Sequence, residues 1–213
     1  MAPCSRRRPG NPRRPAGLAE VVGLLLAAGQ GRRFGRDKRW ATLHEGPMAL
    51  VAARQLVAAC REVIVVVGEG DEALSEAVVA AGCRAIVCVD AAQGMGHSLA
   101  AGVRARRDAA GWLVALADMP FVRPETHRVV RDALLAGASV ARACHGGRPG
   151  HPVGFDARWG DSLAALTGDV GARELVRRAG AARVDCEVPD PGCLRDVDRP
   201  ADLPVGDVAH IRP

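Results

Sequence analysis

Short apolar stretches alternate with longer segments of helical periodicity along the first 135 residues of the chain. The apolar stretches are hydrophobic at consecutive positions rather than at every second one, which is typical of parallel strands covered on both faces. The predicted strands are 21–27, 63–67, 85–89 and 112–117, and the predicted helices are 47–60, 71–81, 98–109 and 124–135. Strand–helix–strand repetition of this kind predicts the α/β class, with a parallel sheet.

The alternation becomes less regular beyond residue 137. We predict strands at 139–143 and 153–155, helices at 157–166 and 171–179, and a last strand at 183–188. The segment 146–152, with sequence GGRPGHP, separates two of these strands, and its glycines and its cation favour a mobile lid or the wall of a second-substrate site. No internal repeat or linker divides the chain, so we predict one domain over residues 20–213.

Composition indicates a folded chain, because 48% of its 213 residues are hydrophobic. No apolar run approaches the roughly 20 residues of a membrane-spanning helix, and the N-terminus lacks the apolar core of a signal peptide. We therefore predict a cytoplasmic protein without membrane contact. The net charge of +5 comes from residues 1–19, which hold five arginines and no acid. We expect this basic tail to be disordered, and because the remainder is neutral we expect no nucleic-acid partner.

The seven cysteines are odd in number and include no C-x-x-C pair. This pattern predicts neither a zinc site nor a disulfide framework. We expect the cysteines to be small buried hydrophobic residues.

Residues 24–38, with sequence LLLAAGQGRRFGRDK, run from an apolar strand into a loop rich in glycine and cations. Glycine lets backbone N–H groups approach phosphate oxygens, and cations offset their charge, so the loop predicts a polyphosphate site. A P-loop is excluded because Lys38 follows the last glycine by three positions and precedes Arg39. The dinucleotide fingerprint fails because Phe34 stands where its third glycine belongs. A solvated basic loop is the alternative interpretation.

Carboxylates follow the predicted strands at the edge where this loop lies. Asp118 comes directly after strand 112–117, and all parallel strands end at one edge, so Asp118 is placed to hold a cation near the glycine loop. An N-cap for the next helix would explain it equally well. Asp196 and Asp198 are two residues apart and would share a face in an extended segment. One of them could complete an Mg²⁺ site, or the pair could cap a helix at 200–203.

Two further segments begin predicted helices. The segment 94–99, GMGHSL, offers free N–H groups and the Ser98 hydroxyl to the polar edges of a nucleotide, although a Ser-capped helix start needs no ligand. The segment 168–173, GDVGAR, offers a helix start with Arg173 on its first turn, which could receive an anion.

Taken in order, six segments resemble the MobA-like family of molybdenum-cofactor nucleotidyltransferases, and most closely its cytidylyltransferase branch. They are LLLAAGQGRRFGRDK (24–38), GMGHSLAAGV (94–103), ADMPFVRPE (117–125), GRPGHPVGF (147–155), GDVGAR (168–173) and DVDRPADL (196–203). The resemblance implies a Rossmann-like, mostly parallel mixed sheet with helices on both faces, of the nucleotide-diphospho-sugar transferase type. It also implies an Mg²⁺-dependent enzyme that transfers CMP from CTP to the terminal phosphate of molybdopterin and releases pyrophosphate.

The resemblance also assigns roles to residues. It implies that Arg33, Lys38 and Asp118 act in catalysis and that Asp118 and Asp198 hold Mg²⁺, with Asp196 as a helper. The nucleotide would lie against Ala27, Ala28, Gly29, Gly31, Arg33, Lys38, Gly94, Met95 and Ser98. The acceptor would face His151, Asp169 and Arg173. The implied partners are CTP or GTP, a molybdopterin-type acceptor, and a molybdenum hydroxylase or its maturation factor.

The chain departs from the family pattern in three places. Ala117 stands where glycine is usual, the segment 39–43 is bulkier and more polar than the usual leucine-rich run, and His97 replaces a small or hydroxyl residue. These departures affect the identity of the substrate more than nucleotide binding. Ala28 favours CTP over GTP, because its methyl group narrows the space that a purine needs, and an Ala-Ala-Gly loop accompanies cytidine in the similar proteins.

The implied reaction needs no protein base, because the attacking phosphate oxygen of the acceptor is already ionised at neutral pH. Two other functions stay open. One is an NAD(P)H-dependent oxidoreductase of the nicotine blue oxidoreductase kind on the same scaffold, which the missing dinucleotide fingerprint disfavours. The other is a non-catalytic chaperone for the cofactor, which would leave the paired aspartates without a role.

Overall fold

The computed structural model describes residues 20–29, 34, 37–169 and 171–204. The predicted tail at 1–19 lies outside these residues. None of the helices within them is long and apolar enough to span a membrane.

A seven-stranded mixed sheet forms the centre of the fold. The nine strands of the described residues are β1 (Val21–Leu26), β2 (Thr42–Leu43), β3 (Gly46–Pro47), β4 (Val63–Gly68), β5 (Arg84–Cys88), β6 (Gly111–Leu116), β7 (Val140–His145), β8 (Arg148–Asp156) and β9 (Arg183–Glu187). The order in the sheet is β5-β4-β1-β6-β8-β7-β9, and β2 and β3 form a separate two-stranded ribbon. Strands β5, β4, β1 and β6 are parallel, whereas β8 runs antiparallel to both β6 and β7. The predicted mostly parallel mixed sheet is confirmed.

Helices cover both faces of this sheet, as predicted. They are α1 (Met48–Val57), α2 (Glu72–Ala80), α3 (Met95–Arg104), α4 (Pro124–Leu135), α5 (Gly160–Ala164) and α6 (Arg173–Ala179). Apolar side chains of α1, α2 and α4 pack in one core cluster, and those of α3, α5 and α6 pack in another. Strand β1 is buried at every position because Val21 and Leu25 join the first cluster while Val22 and Leu24 join the second. Its continuous apolar sequence therefore reflects two covered faces.

Close packing of α1 on β1 depends on Gly23. A Cβ atom at this position would lie 2.9 Å from Cγ of Leu56, which is fully buried. The missing side chain thus lets the helix approach the strand that carries the glycine loop.

The structure adds the β2–β3 ribbon, which the sequence pattern does not predict, and it departs from the predicted elements most in three places. Helix α3 begins at Met95, three residues before the predicted start, and ends at Arg104. The predicted helix 157–166 is divided into a 3-10 turn, Ala157–Trp159, and α5. The predicted lid at 146–152 is wrong: Gly146 and Gly147, with φ of 57° and 72°, form a two-residue hairpin turn, and residues 148–152 belong to β8. Two consecutive left-handed glycines suit a tight hairpin between twisted strands.

The cysteines within the described residues are buried and free, as predicted, and they are Cys60, Cys83, Cys88, Cys144, Cys186 and Cys193. Burial raises the pKa of Cys60 to about 12 and that of Cys83 to about 11. These thiols are therefore poor nucleophiles at neutral pH.

Candidate active site

A cavity of about 680 Å³ opens at the carboxyl ends of the four parallel strands. Its wall is formed by the segments that follow β1, β4, β5 and β6, by the start of α3, and by side chains from two later segments. The lining residues are Leu26, Ala27, Ala28, Gly29, Lys38, Arg39, Met48, Gly68, Glu69, Asp71, Cys88, Val89, Ala91, Ala92, Gly94, Met95, Ser98, Leu116, Ala117, Asp118, Asp169 and Asp198. The volume is ordinary for a small-molecule site, and the position is where open α/β sheets bind ligands.

Lys38 joins two aspartates that are far apart in the sequence. Its ammonium nitrogen donates to Oδ2 of Asp118 at 2.8 Å, to Oδ1 of Asp198 at 3.1 Å and to the Val197 carbonyl oxygen at 3.0 Å. Burial alone would lower the pKa of Lys38, but the hydrogen bonds and charges of the two carboxylates outweigh it and raise the pKa above its usual value. Lys38 is therefore a cation at neutral pH, held between two carboxylates.

The local fold explains why these groups meet. Asp37 accepts a hydrogen bond from the Arg39 amide at 3.0 Å and so begins the 3-10 turn Lys38–Trp40. The Val197 amide donates to the Asp118 carbonyl at 2.8 Å, which fixes the C-terminal segment beside the end of β6. Val197 is itself fully buried in a third apolar cluster that includes Met48.

Asp196 and Asp198 have different surroundings. Asp198 lines the cavity, whereas Asp196 is exposed and does not. The cavity wall therefore gives no support to the helper role of Asp196, which stays a prediction. Neither residue caps the following 3-10 turn, because Asp202 does so by accepting from the amides of Asp198 and Arg199 at 2.9 and 2.7 Å.

Arg39 is a buried residue of the site that the sequence analysis did not single out. Its guanidinium donates to both carboxylate oxygens of Asp37 at 2.7 Å, to both oxygens of Asp71, and to the Ala27 carbonyl oxygen at 2.8 Å. Burial opposes its charge, but the two aspartates outweigh burial and raise the pKa of Arg39. Asp71 also accepts from the Gly68 amide at 2.8 Å. Arg39 thus connects the end of β1, the end of β4 and the turn that carries Lys38.

Backbone atoms at the start of α3 lie close to the backbone of the segment 167–169. Gly94 has φ of +131°, and a Cβ atom there would lie 2.3 Å from the Gly168 carbonyl carbon. The Gly96 amide donates to the Gly168 carbonyl oxygen at 2.8 Å, so this N–H group is not free for a nucleotide as predicted. Ser98 is buried within the helix and does not cap it, since Gly94 occupies the cap position.

The predicted acceptor residues do not all reach the cavity. Asp169 lines it, but Arg173 is exposed on the first turn of α6 and is not among the lining residues. His151 is not among the lining residues either, and it lies in a tightly packed region together with His127. Burial lowers the pKa of His151, and Nδ1 of each histidine is buried without a hydrogen-bond partner. His151 therefore does not share the wall of this cavity with the predicted nucleotide-binding residues, and its contact with the acceptor stays a prediction.

The remaining predicted residues fall into two groups. Ala27, Ala28, Gly29, Gly94, Met95 and Ser98 all line the cavity, as the predicted nucleotide site requires. Gly31 and Arg33 lie outside the described residues. Their predicted roles in holding phosphate stay predictions.

Comparison with known proteins identifies similar sequences and folds. The family model described as the MobA-like NTP transferase domain matches residues 23–184. The chain is 33% identical over 192 residues to nicotine blue oxidoreductase of Paenarthrobacter nicotinovorans, covering 84% of this chain and 92% of that protein. It is 29% identical over 192 residues to the purine catabolism protein PucB of Bacillus subtilis, with the same coverage.

Solved structures show the same fold. Rv0371c of Mycobacterium tuberculosis superposes with a TM-score of 0.74 at 26% identity, covering 86% of this chain and 95% of that one. The structure of Rv0371c in complex with manganese gives a TM-score of 0.71 at the same identity and coverage. A nucleotidyl transferase from Methanothermobacter has a TM-score of 0.74 at 22% identity, covering 86% of this chain and 94% of that one, and shows the likeness in fold alone.

Proposed function

The chain belongs to the MobA-like NTP transferase family, and from this premise we propose that it transfers CMP, in preference to GMP, from a nucleoside triphosphate to the phosphate of a molybdopterin-type acceptor. The observation that carries the proposal is the convergence of Lys38 with Asp118 and Asp198 at the rim of the cavity. Nucleotidyl transfer needs charge compensation and alignment at one place, and these three residues supply both.

The oxygens around Lys38 suit a hard divalent cation. Two carboxylates and one carbonyl oxygen point at a single nitrogen, and oxygen ligands of this type are those that Mg²⁺ and Mn²⁺ prefer. Within the described residues no group of three or more His, Cys, Asp or Glu side chains is arranged to hold a metal. A pair of carboxylates is enough for Mg²⁺, because this ion commonly takes one or two carboxylates and completes its coordination shell with water and substrate phosphate. When bound by Asp118 and Asp198, Mg²⁺ supplies charge neutralisation on the triphosphate.

The protein residues position the reactants. An ionised phosphate oxygen of the acceptor forms a bond to the α-phosphorus, the bond from that phosphorus to the bridging oxygen breaks, and pyrophosphate departs with its electron pair. We propose that the amides around Gly29 and the ammonium of Lys38 hold the phosphates, with Gly31 and Arg33 extending this cradle. The pKa of His127 is lowered to about 4 by burial, and no histidine lines the cavity among the described residues. This agrees with a reaction that needs no general base.

Nucleoside recognition is proposed for the part of the cavity wall formed by the end of β1 and the start of α3. Ala27 and Ala28 lie at the end of β1, and Gly94, Met95 and Ser98 lie at the start of α3. Ala28 lines this wall, and we propose that its methyl group leaves less room for a purine base, so that CTP is the preferred donor. A molybdenum hydroxylase or its maturation factor would receive the product.

A second candidate function is hydride transfer from NAD(P)H. Its support is the 33% identity to a nicotine blue oxidoreductase over most of both chains. The first candidate reaction consumes a nucleoside triphosphate and the second consumes NAD(P)H, so assays on one protein preparation can distinguish the two.

The test is a comparison of pyrophosphate release and nicotinamide oxidation. We expect release of pyrophosphate with CTP, a molybdopterin-type acceptor and Mg²⁺, slower release with GTP, and no loss of nicotinamide absorbance with NADPH. Asp118→Asn should abolish release, whereas the matched control Asp161→Asn, at a side chain 98% exposed and remote from the cavity, should not. Oxidation of NADPH without a nucleoside triphosphate would instead favour the second candidate. Binding of the pterin without any turnover or metal dependence would indicate a chaperone.

A further inference from the structure

Lys38 is the one lysine among the 29 lysine and arginine residues of the chain. Arginine presents a planar fork of donors, whereas lysine presents a compact charge with donors in several directions. The three oxygens that receive hydrogen bonds from Lys38 come from different segments and surround its nitrogen at 2.8–3.1 Å. Such a site suits a compact, roughly spherical cation, which lysine resembles and arginine does not.

The same oxygens are those that would bind a divalent cation. Mg²⁺ needs its oxygen ligands at about 2.0–2.1 Å, so the metal and the ammonium cannot occupy this point together. Electrostatics gives the same answer, because the two carboxylates carry two negative charges, which balance a divalent metal but not a divalent metal and an ammonium together. Lys38 must therefore leave the carboxylates when a metal binds between them.

The cavity gives Lys38 a place to go. Its side chain is 11% exposed and lies on the cavity wall, and an ammonium that leaves two carboxylates needs another anion as partner. The phosphates of a nucleotide, held at the end of β1, would supply that anion.

Resting on the proposed function, we propose that Lys38 occupies the metal position between Asp118 and Asp198 and leaves it when a nucleoside triphosphate binds, so that the metal enters with the nucleotide. Because the two binding events are coupled, a nucleotide that draws Lys38 away from the aspartates also raises the affinity of the site for the metal. Lys38 thus has two roles: it excludes the metal from the nucleotide-free site, and it then contacts the phosphates.

The first test is metal binding without nucleotide. Free Mn²⁺ is measured by electron paramagnetic resonance during titration of the full chain, as wild type, Lys38→Met and the double variant Lys38→Met/Asp118→Asn. We expect Lys38→Met to bind Mn²⁺ about tenfold more tightly than the wild type, within the roughly 5–150-fold range of coupled sites, and the double variant to lose this gain. Equal affinity of wild type and Lys38→Met, including no measurable binding to either, would overturn the inference.

The second test uses the single lysine as its own reporter. Protein labelled with ¹³C and ¹⁵N in lysine alone gives one ammonium signal, which belongs to Lys38. We expect this signal to shift when Mg²⁺ and CTP are added together and to shift little with Mg²⁺ alone at the same concentration. An equal shift with Mg²⁺ alone would contradict the proposed coupling.

These readouts separate the inference from the proposed function. Both tests follow binding, whereas pyrophosphate release tests turnover. A protein that shows the expected Mn²⁺ affinities but releases no pyrophosphate from any nucleoside triphosphate would retain the inference about Lys38 and lose the proposed reaction. A protein that releases pyrophosphate while wild type and Lys38→Met bind Mn²⁺ equally would retain the reaction and lose the inference.

Discussion

Replacing Arg39 by methionine tests whether this residue holds the walls of the cavity together. Methionine keeps much of the length of the side chain but removes every hydrogen bond of the guanidinium. Asp71, with a side chain 16% exposed, would then be left without its cationic partner. Breaking a buried ion pair from one side typically costs 3–5 kcal/mol. Because the Asp37 side chain is 35% exposed and can turn to water, we expect a value near the lower limit, about 3 kcal/mol.

Urea unfolding measures this loss directly. With a denaturant slope of about 3 kcal/mol per molar, at the upper end for small proteins, the midpoint should fall by roughly 1 M. The three tryptophans of the chain provide the fluorescence signal. The matched control is Arg107→Met, which removes a guanidinium that is 60% exposed and paired with a still more exposed carboxylate, and it should leave the midpoint unchanged.

The conservative variant Arg39→Lys sharpens the test. Lysine keeps the charge but cannot bind two carboxylates in bidentate fashion and reach the Ala27 carbonyl oxygen as well, so we expect only partial recovery. A midpoint for Arg39→Met within about 0.3 M of the wild type would refute the reasoning, because the buried carboxylate would then have found another partner.

Three further predictions concern other parts of the fold. Asp190 is buried and accepts from the Arg123 amide, the Thr126 hydroxyl and the Gly192 amide, so Asp190→Ala should lower the free energy of unfolding by about 2 kcal/mol in the same urea experiment. Burial lowers the pKa of His127 to about 4. The unfolded chain therefore binds a proton at this residue below about pH 6.5, whereas the folded chain does not, so the free energy of unfolding decreases as the pH is lowered from 6.5 to 4. His127→Gln should lose that part of the pH dependence, about 2 kcal/mol between pH 7.5 and 4.5, and an unchanged pH profile would contradict it. Gly94→Ala places a methyl group against the 167–169 segment and should weaken CTP binding by at least about tenfold in calorimetry, while far-ultraviolet circular dichroism stays unchanged.

The sequence pattern predicts the sheet well because each strand has a local signature. Strands such as β1 and β4 are apolar at nearly every position, and this is the direct result of helices on both faces. The start of α3 was misplaced because its cap is Gly94, whereas a serine within the segment resembles a cap. The hairpin at Gly146 and Gly147 was missed because the same glycines are compatible with a mobile loop and with a tight turn.

The site was predictable where it depends on strand ends. Asp118 follows a parallel strand, so its place at the rim of the cavity follows from the sheet alone. Arg39 could not be found in this way, because its partner Asp71 lies 32 residues away and the contact depends on tertiary packing. The sequence nevertheless held an indication of this role. Arg39 stands beside Lys38 where the similar proteins have an apolar residue, and an arginine at such a buried position needs hydrogen-bond acceptors around it. The place of His151 could not be predicted either, because its position beside His127 and outside the cavity wall depends on tertiary packing.

The hydrogen bond from the Val197 amide to the Asp118 carbonyl oxygen fastens the last described stretch of the chain to the end of β6. Every strand of the seven-stranded sheet precedes this stretch, and Asp190, which accepts hydrogen bonds from Arg123 and Thr126 at the start of α4, precedes it as well. A protein cut after residue 194 would thus retain its complete sheet while lacking the carboxylate of Asp198. The proposed cation site thus depends on a short segment that contributes no strand, so cutting the chain at this point separates the chemistry from the sheet.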